Sequence, residues 1–190
     1  MSRHADSSDE QLMQLYRDGD AGAFDVLYTR HKGGVYRYLL RQCREAAVAE
    51  ELFQDVWMNL IRARAGYTVQ AKFTTYLYRL AHNRMVDHYR KTSPAVAVSL
   101  EEEEGEAALD LPDGRERPAD EALDARRQAA RLLELIAGLP EAQREAFLLQ
   151  QEGGMSVEEI AQATGVTRET AKSRLRYAMS KLKSGMGVWR

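Results

Sequence analysis

The sequence predicts an all-α protein in which two small helical domains are joined by an acidic flexible linker. Apolar residues recur at helical spacing on both sides of the middle of the chain, and no segment alternates long enough at period two to suggest a sheet. All four prolines lie beyond Lys91, three in the middle stretch and one at a predicted helix start. The helices therefore fall into two groups that the middle stretch separates.

The charge of the chain is unevenly distributed, although its formal total is only -2. Residues 1–91 carry a net charge of +3, residues 92–125 carry -9, and residues 126–190 carry +4. The middle stretch combines like charges with Pro and Gly, so it cannot bury enough apolar surface to fold. We therefore expect one domain at residues 1–91, a linker at 92–120 and a second domain at 121–190.

Four helices are predicted in the first domain. Ser8 and Gln11 have the spacing of a capping pair before a short amphipathic helix that Gly19 ends. A second helix carries seven residues on one face: Phe24, Leu27, Tyr28, His31, Val35, Tyr38 and Leu39. The third helix runs from about 46 to 64 and the fourth from about 71 to 91, on the same periodicity.

Four further helices are predicted in the second domain, at about 121–137, 141–151, 156–163 and 167–183. Between the last two, the sequence has the signals of a tight junction. Ser156 and Glu159 have capping-box spacing, Gly165 permits the positive φ of a turn, and Thr167 caps the helix that follows. This pattern predicts a helix-turn-helix, a motif whose second helix enters the major groove of DNA.

The second helix of this motif is basic on one side. Seven basic residues and one acid lie between Gly165 and Arg190. Ala171, Leu175 and Ala178 fall on the opposite side, toward the core. The candidate contacts to bases or phosphates are Arg168, Glu169, Lys172, Ser173, Arg174 and Arg176. The alternative is a solvated amphipathic face without a ligand.

Segments of both domains resemble the extracytoplasmic-function (ECF) sigma factors of RNA polymerase. Residues 139–149, Leu-Pro-Glu-Ala-Gln-Arg-Glu-Ala-Phe-Leu-Leu, and the helix-turn-helix that follows them are similar to region four of that family. Residues 23–31, 49–60 and 73–91 are similar to the helices of region two. The motifs stand in the family's order. The resemblance implies a protein that directs promoter-specific initiation, recognises the minus-ten and minus-thirty-five elements and helps melt the promoter.

The resemblance also implies the partners of the chain. These are the clamp of the beta-prime subunit of core RNA polymerase, promoter DNA, and an anti-sigma factor that holds the protein inactive. In this family the connector between the two regions runs through the RNA exit channel of the polymerase, and the acidic linker suits that path. The alternative is that the linker is a solubilising tether.

The third helix offers a polar, acidic outer face for docking on polymerase. Leu52, Val56 and Leu60 are predicted to point inward. The outward residues are Glu51, Gln54, Asp55 and Met58. Such a face suits a basic coiled coil, which the family finds in the polymerase clamp. The alternative is an ordinary solvated helix.

Aromatic and basic residues interleave along the fourth helix and the loop before it, as single-stranded nucleic acid requires. The candidate residues for minus-ten recognition and melting are Lys72, Tyr76, Arg79, Asn83, Arg84, Arg90 and Lys91. Phe73 and Tyr78 are expected to be packing residues. The resemblance implies that the loop 66–72 and Asn83 capture a flipped-out base. Where the family usually has Trp, this chain has Tyr76, and two usual basic positions of the recognition helix are Tyr177 and Met179.

Composition disfavours several other classes of protein. Cys43 is the single cysteine, so no intrachain disulfide forms and a reducing cytoplasm fits best. No run approaches 18 apolar residues, so no direct membrane insertion is expected. The histidines are scattered, and we expect His82 and His88 on the surface or facing DNA. We predict no catalytic residue, no metal site and no cofactor, and therefore no enzyme.

A second function class stays open at this point. A stand-alone helix-turn-helix regulator, with an N-terminal domain that binds a ligand or dimerises, would share the second domain. Dependence on polymerase separates the two classes. A sigma factor acquires promoter specificity with core polymerase, whereas such a regulator binds its site tightly alone.

Overall fold

Helices make up most of the described part of the chain. The structure, a computed structural model, describes residues 4, 6–92 and 121–187. These residues contain eight α-helices, one short 3₁₀ helix and no strand, which confirms the predicted all-α fold. Residues 93–120 of the predicted linker lie outside the described residues. Among the described helices, none has both the length and the apolar composition that a bilayer crossing requires.

The helix bounds follow the sequence patterns closely. They are α1 Asp9–Arg17, α2 Ala21–Cys43, α3 Ala46–Ala63, α4 Phe73–Thr92, α5 Glu121–Ala137, α6 Glu141–Gly153, α7 Val157–Thr164 and α8 Arg168–Met186. The 3₁₀ helix Arg64–Gly66 follows α3 directly and leads into the loop before α4. We call α1 to α4 the N-terminal half and α5 to α8 the C-terminal half.

Local hydrogen bonds explain where α1 and α2 begin. Ser8 and Gln11 form the predicted capping box. The backbone N–H of Gln11 donates to the Ser8 hydroxyl at 3.3 Å, and that of Ser8 donates to the Gln11 side chain at 3.0 Å. Asp20 caps α2 by accepting from the backbone N–H of Gly22 at 2.9 Å. These side chains satisfy N–H groups that have no partner within the helix.

The hydrophobic core is continuous across both halves. Leu52, Val56 and Leu60 of α3 are buried, as their spacing predicts. Phe73 and Tyr78, predicted as packing residues, are also buried. The buried side chains of the two halves belong to a single cluster. The halves therefore pack directly on each other, with α6 against α2 and α4, and α7 against α4.

Two glycines allow the halves to approach closely. A Cβ on Gly34 of α2 would lie 2.7 Å from the Tyr78 hydroxyl oxygen and 3.2 Å from the carbonyl oxygen of Glu152. A Cβ on Gly153 of α6 would lie 3.2 Å from the Tyr78 ring. Glycine is needed at Gly34 because its backbone lies against the Tyr78 side chain and against the Glu152 backbone of the other half.

Gly34→Ala is expected to destabilise the protein, even though alanine favours a helix over glycine. The new Cβ would stand closer to the Tyr78 hydroxyl than real side chains come. Overpacking of this kind costs about 1–3 kcal/mol. Urea denaturation followed by circular dichroism gives the free energy of unfolding.

Gly33→Ala is the matched control on the same helix. Its Cβ would first meet Nη1 of Arg37 at 3.1 Å, the end of a side chain that can move away. Alanine should therefore stabilise the protein here by about 0.5–1 kcal/mol. Equal effects of the two substitutions would contradict a close approach at Gly34.

Candidate nucleic-acid and polymerase interfaces

A cavity of about 660 Å³ lies beside the start of α4. Its wall contains five residues between Gly66 and Ala71, and also Ala63, Thr75, Tyr76, Arg79 and Gln162. The structure thus brings the predicted base-capturing loop together with Tyr76 and Arg79. Asn83 lies one turn further along α4, on an exposed face, and is not part of the wall. Gln162 comes from α7 of the opposite half.

Two hydroxyl groups of the cavity wall, those of Tyr67 and Thr75, are buried and have no hydrogen-bond partner among the described residues. The Tyr67 ring packs edge-on against Tyr76, with centroids 5.4 Å apart. Burial first, and then the charge of Glu10, raises the pKa of Tyr67 to about 12, so the phenol keeps its proton. Because buried polar groups are usually paired, these hydroxyls would gain from a polar partner, and a guest in the cavity reaches them when the side chains of the wall shift.

Three of the predicted minus-ten cations are bound to carboxylates: Lys72, Arg90 and Arg84, whose partner is Asp55. Lys72 Nζ lies 2.9 Å from Glu159 Oε1 of α7, so this ion pair joins the two halves. Arg90 Nη2 lies 3.3 Å from Asp87 Oδ1, one turn back along α4. Three other candidates are exposed: Arg79, Asn83 and Lys91.

The predicted polymerase-docking face lies on the outside of α3. Glu51, Gln54 and Met58 are exposed, as their spacing predicts. Asp55 is half-buried, and its Oδ2 lies 2.5 Å from Nη2 of Arg84 on α4. The sequence places Asp55 and Arg84 on two different predicted surfaces. The structure shows that they form one ion pair where those surfaces meet.

The segment α7, turn and α8 forms the predicted helix-turn-helix. The backbone N–H of Ser156 donates to Glu159 Oε2 at 2.8 Å, and that of Glu159 donates to Ser156 Oγ at 3.2 Å. Gly165 has a φ of +71°. The Thr167 hydroxyl accepts from the backbone N–H of Thr170 at 3.1 Å. The predicted caps and turn glycine therefore all occupy their expected places.

The two sides of α8 differ as predicted. Ala171, Leu175 and Ala178 are buried against the rest of the half. Four candidate DNA contacts are exposed, Arg168, Glu169, Lys172 and Arg176, and two are half-buried, Ser173 and Arg174. The guanidinium of Arg176 lies over the Tyr177 ring, 5.0 Å from its centroid. An exposed basic helix of this kind suits the phosphate backbone of a nucleic acid.

A buried carboxylate joins the halves beside α4. Glu145 Oε1 of α6 accepts a hydrogen bond from the Tyr38 hydroxyl at 2.7 Å and lies 2.7 Å from Nδ1 of His82. Only 16% of the His82 side chain is exposed. The expectation of a surface or DNA-facing His82 is therefore wrong, because Glu145 binds this ring inside the contact. His88 is half-buried, with its ring edge-on to Tyr89.

Burial and Glu145 together shift the pKa of Tyr38 and of His82. Burial, followed by the charge of Glu145, raises the pKa of Tyr38 well above its ordinary value, so the hydroxyl remains a donor. Burial lowers the pKa of His82, but the hydrogen bond and charge of Glu145 outweigh burial, and the net pKa is raised. Arg174 of α8 opposes this rise, whereas Glu141 of α6 adds to it.

Sequence reasoning missed three residues of this region. Thr75 is a polar residue at an inward position of α4, and that position could have singled it out. The sequence indicates Glu159 only as a helix cap, and it gives no signal for Gln162. Both lie in the other half, and no local pattern signals a contact between helices so far apart in the chain. Within the described ranges, no group of three or more His, Cys, Asp or Glu is arranged to hold a metal ion.

Comparison with known proteins matches both halves of the chain. Residues 27–94 match the Sigma-70 region 2 family, and residues 129–182 match the Sigma-70, region 4 family. The RNA polymerase sigma factor CarQ of Myxococcus xanthus is 31% identical over 92% of this chain and 95% of that protein. The ECF RNA polymerase sigma factor SigK of Mycobacterium sp. (strain KMS) is 30% identical over 93% of this chain and 90% of that protein.

Solved structures share the fold at lower sequence identity. CnrH in complex with the cytosolic domain of CnrY has a TM-score of 0.65 at 21% identity, covering 96% of this chain and 99% of that one. The sigma factor RpoE in complex with the anti-sigma factor NepR, from Bartonella quintana, has a TM-score of 0.64 at 21% identity, covering 88% and 98%. The helical architecture is therefore that of these proteins.

A region 2 followed by a region 4 in one all-α chain defines an RNA polymerase sigma factor. The chain belongs to the ECF RNA polymerase sigma factors, which confirms the resemblance of its motifs. It directs promoter-specific transcription initiation, and it binds core RNA polymerase and promoter DNA. The alternative of a stand-alone regulator is not favoured. Sigma factors are known as non-enzymatic initiation factors.

Raising the pH is expected to weaken the contact between the halves through His82. Because the folded pKa lies above the ordinary value of 6.5, the stabilisation is complete below pH 6.5 and is lost as the pH rises through the raised pKa. His82→Gln removes the titrating group and keeps a polar side chain. Urea denaturation at a series of pH values gives the free energy of unfolding of both proteins.

The wild type should be more stable than His82→Gln at low pH, and this advantage should shrink as the pH rises. Glu145→Gln should flatten the same dependence, because it removes the charge that raises the pKa of His82. An advantage that stays constant or grows with pH would contradict an imidazolium bound to Glu145.

Proposed function

We propose that three faces of the chain have separate roles in transcription initiation. The outer face of α3 binds the clamp of the beta-prime subunit, the cavity and α4 hold the separated minus-ten strand, and α8 reads the minus-thirty-five element in the major groove. The observation that carries this proposal is the cavity with two hydroxyls that lack partners. It adjoins the aromatic and basic residues that the sequence assigns to the same element.

A base that leaves the duplex needs a ring to stack on and partners for its polar edge. Tyr67 and Tyr76 supply the rings, and a shift of the wall on binding lets the buried hydroxyls of Tyr67 and Thr75 supply hydrogen bonds. Arg79 adds a cation for the backbone. Asn83, one turn beyond the cavity, offers an amide that both donates and accepts, so it can bind a neighbouring base. Binding an unstacked base favours the open state of the promoter.

The stripe of α8 fits the major groove. Arg168, Lys172 and Arg176 recur every fourth residue and are all exposed. In a helix-turn-helix the N-terminal residues of the recognition helix contact base edges, so Arg168 and Glu169 are the base contacts in this proposal. Lys172 and Arg176 lie further along and bind phosphates. Tyr177 replaces a usual basic residue of the family, which reduces the positive charge at that end.

The α3 face suits a basic partner. Glu51 and Gln54 are exposed and polar, and Met58 adds an apolar contact, 44% exposed, at the next turn. The pair between Asp55 and Arg84 connects this face to α4. Polymerase bound on α3 therefore lies directly beside the residues that we assign to the melted strand.

An anti-sigma factor and a cytoplasmic location complete the proposal. Both structural neighbours described above were solved with a second protein, CnrY for CnrH and the anti-sigma factor NepR for RpoE. Support for a similar partner of this chain comes from its matching fold. Core polymerase and promoter DNA lie in the cytoplasm of a bacterium, and the chain must meet them there.

Tyr67→Phe tests the cavity with almost no change of shape. The hydroxyl has no partner among the described residues, so its loss should leave the stability of the free protein unchanged or slightly higher. Promoter opening should fall about two- to tenfold, because a hydrogen bond is worth about 0.5–1.5 kcal/mol. Permanganate reactivity of unpaired thymines measures opening, and mobility shift measures initial docking.

Asn83→Ala should likewise impair opening more than docking. Tyr89→Phe, on the same helix but outside the cavity, is the control and should change neither. Equal loss of opening and docking in Tyr67→Phe and Asn83→Ala would contradict their assignment to the separated strand.

Lys172→Ala should weaken binding to the minus-thirty-five element and reduce its salt dependence. The loss of one phosphate contact lowers the slope of log affinity against log salt by about 0.9. Lys183→Ala, three turns further along α8, is the control and should keep the wild-type slope. A wild-type slope in Lys172→Ala would remove this residue from the phosphate contacts.

A further inference from the structure

The contact between the halves pairs cations of the N-terminal half with carboxylates of the C-terminal half. Arg37 and Arg41 stand one turn apart on α2 and bind a single carboxylate, that of Glu152 near the end of α6. Arg37 Nη2 and Nε lie 2.8 Å and 3.0 Å from Glu152 Oε2, and Arg41 Nη1 lies 2.5 Å from Oε1. The Glu152 side chain is only 8% exposed.

Two guanidinium groups around one carboxylate form a preorganised anion site. Their N–H donors point at both oxygens at once, and this geometry suits the oxygens of a phosphate diester equally well. The arginines belong to the half that carries the minus-ten candidates. Their anion, Glu152, belongs to the other half, so the site loses its occupant when the halves separate.

A second set of contacts links this site to DNA binding. Gln162 of α7 forms part of the cavity wall, and Glu159 of α7 binds Lys72, one of the minus-ten candidates. The C-terminal half therefore contacts the cavity wall, Lys72 and the two arginines at the same time. Separation of the halves would remove Gln162 from the cavity wall, release Lys72 from Glu159 and free Arg37 and Arg41.

We propose that Arg37 and Arg41 form a phosphate-binding site for promoter DNA, and that Glu152 occupies this site as an internal competitor when the halves are packed together. The inference rests on the function proposed above. We call the packed arrangement closed. DNA phosphate and the Glu152 carboxylate exclude each other, so the affinity of the free chain for DNA falls with the fraction of chains that are closed.

A phosphate-binding site can be distinguished from ion pairs that only hold the two halves together. Glu152→Gln removes the competing charge and keeps the arginines. Glu152→Gln already breaks the ion pairs with Arg37 and Arg41. Adding Arg37→Ala and Arg41→Ala to that variant therefore removes the two cations and no further ion pair with Glu152. Any difference in the salt dependence of promoter affinity between the single and the triple variant is then due to the arginines alone.

The measurement is promoter affinity against salt concentration for each variant assembled with core RNA polymerase. Glu152→Gln should keep at least the wild-type slope of log affinity against log salt. The triple variant should show a slope lower by about one to two units, since each lost phosphate contact contributes about 0.9. Arg126→Ala with Arg127→Ala, two exposed arginines of α5, is the matched charge control in the Glu152→Gln background and should leave the slope unchanged.

Equal slopes of the single and triple variants would overturn the phosphate site. Equal slopes with weaker binding to core polymerase would also overturn it, and would place the arginines on a polymerase carboxylate. Circular dichroism and urea denaturation identify a variant that fails to fold. In that case Arg37→Gln with Arg41→Gln in the same background replaces the triple variant. Failure of the proposed function gives a different result from failure of the phosphate site, because the wild-type holoenzyme would then show no promoter preference at all.

For the free chain, Glu152→Gln should bind promoter DNA more tightly than the wild type does. The wild-type protein and the Glu152→Gln, Arg37→Ala, Arg41→Ala triple variant provide the two references. Unchanged affinity in Glu152→Gln would show that this carboxylate does not compete with DNA, and would overturn the competitor role.

Discussion

The buried carboxylate of Glu145 fixes how the two halves of the chain meet. A charge taken out of water is costly unless it is paired, and Glu145 is only 7% exposed. Both of its partners, Tyr38 and His82, belong to the other half. The neighbouring Arg144 is also buried and donates to the side chain of Gln42 at 3.0 Å. Such pairs add little stability compared with apolar packing, but a shift of α6 would leave their charges unpaired, so they specify one register.

The helices and the helix-turn-helix could be predicted because their signals are local. Ser156 and Glu159 act within one turn of each other, Gly165 ends the same short helix, and the buried faces follow from a period of 3.6. The contact between the halves could not be predicted in this way. Tyr38 and His82 lie 107 and 63 residues from Glu145. Periodicity indicates which side of a helix is buried, but not which charge from a distant helix will meet it.

The candidate site shows the same division. Tyr76 and Arg79 could be assigned from the aromatic and basic pattern of α4, and the structure brings them to one cavity. The place of Gln162 in the cavity wall could not be predicted, because it depends on how α7 packs against α4. Net charge by segment also hides how the halves attract each other. Both halves carry a net positive charge, yet the carboxylates of Glu152 and Glu159 form ion pairs with cations of the other half.

In this arrangement the C-terminal half binds one DNA-facing element, α4, and leaves the other, α8, free on its outer face. The outer face of α8 is exposed, whereas α7 packs against α4 and contributes Gln162 to the cavity wall. In our account, core polymerase separates the halves so that both elements can meet the promoter. The direct test is the distance between exposed positions 25 and 181, spin-labelled as cysteines in a Cys43→Ser background. We predict one short distance in the free protein and a longer one with core polymerase. The same distance in both states would contradict the account.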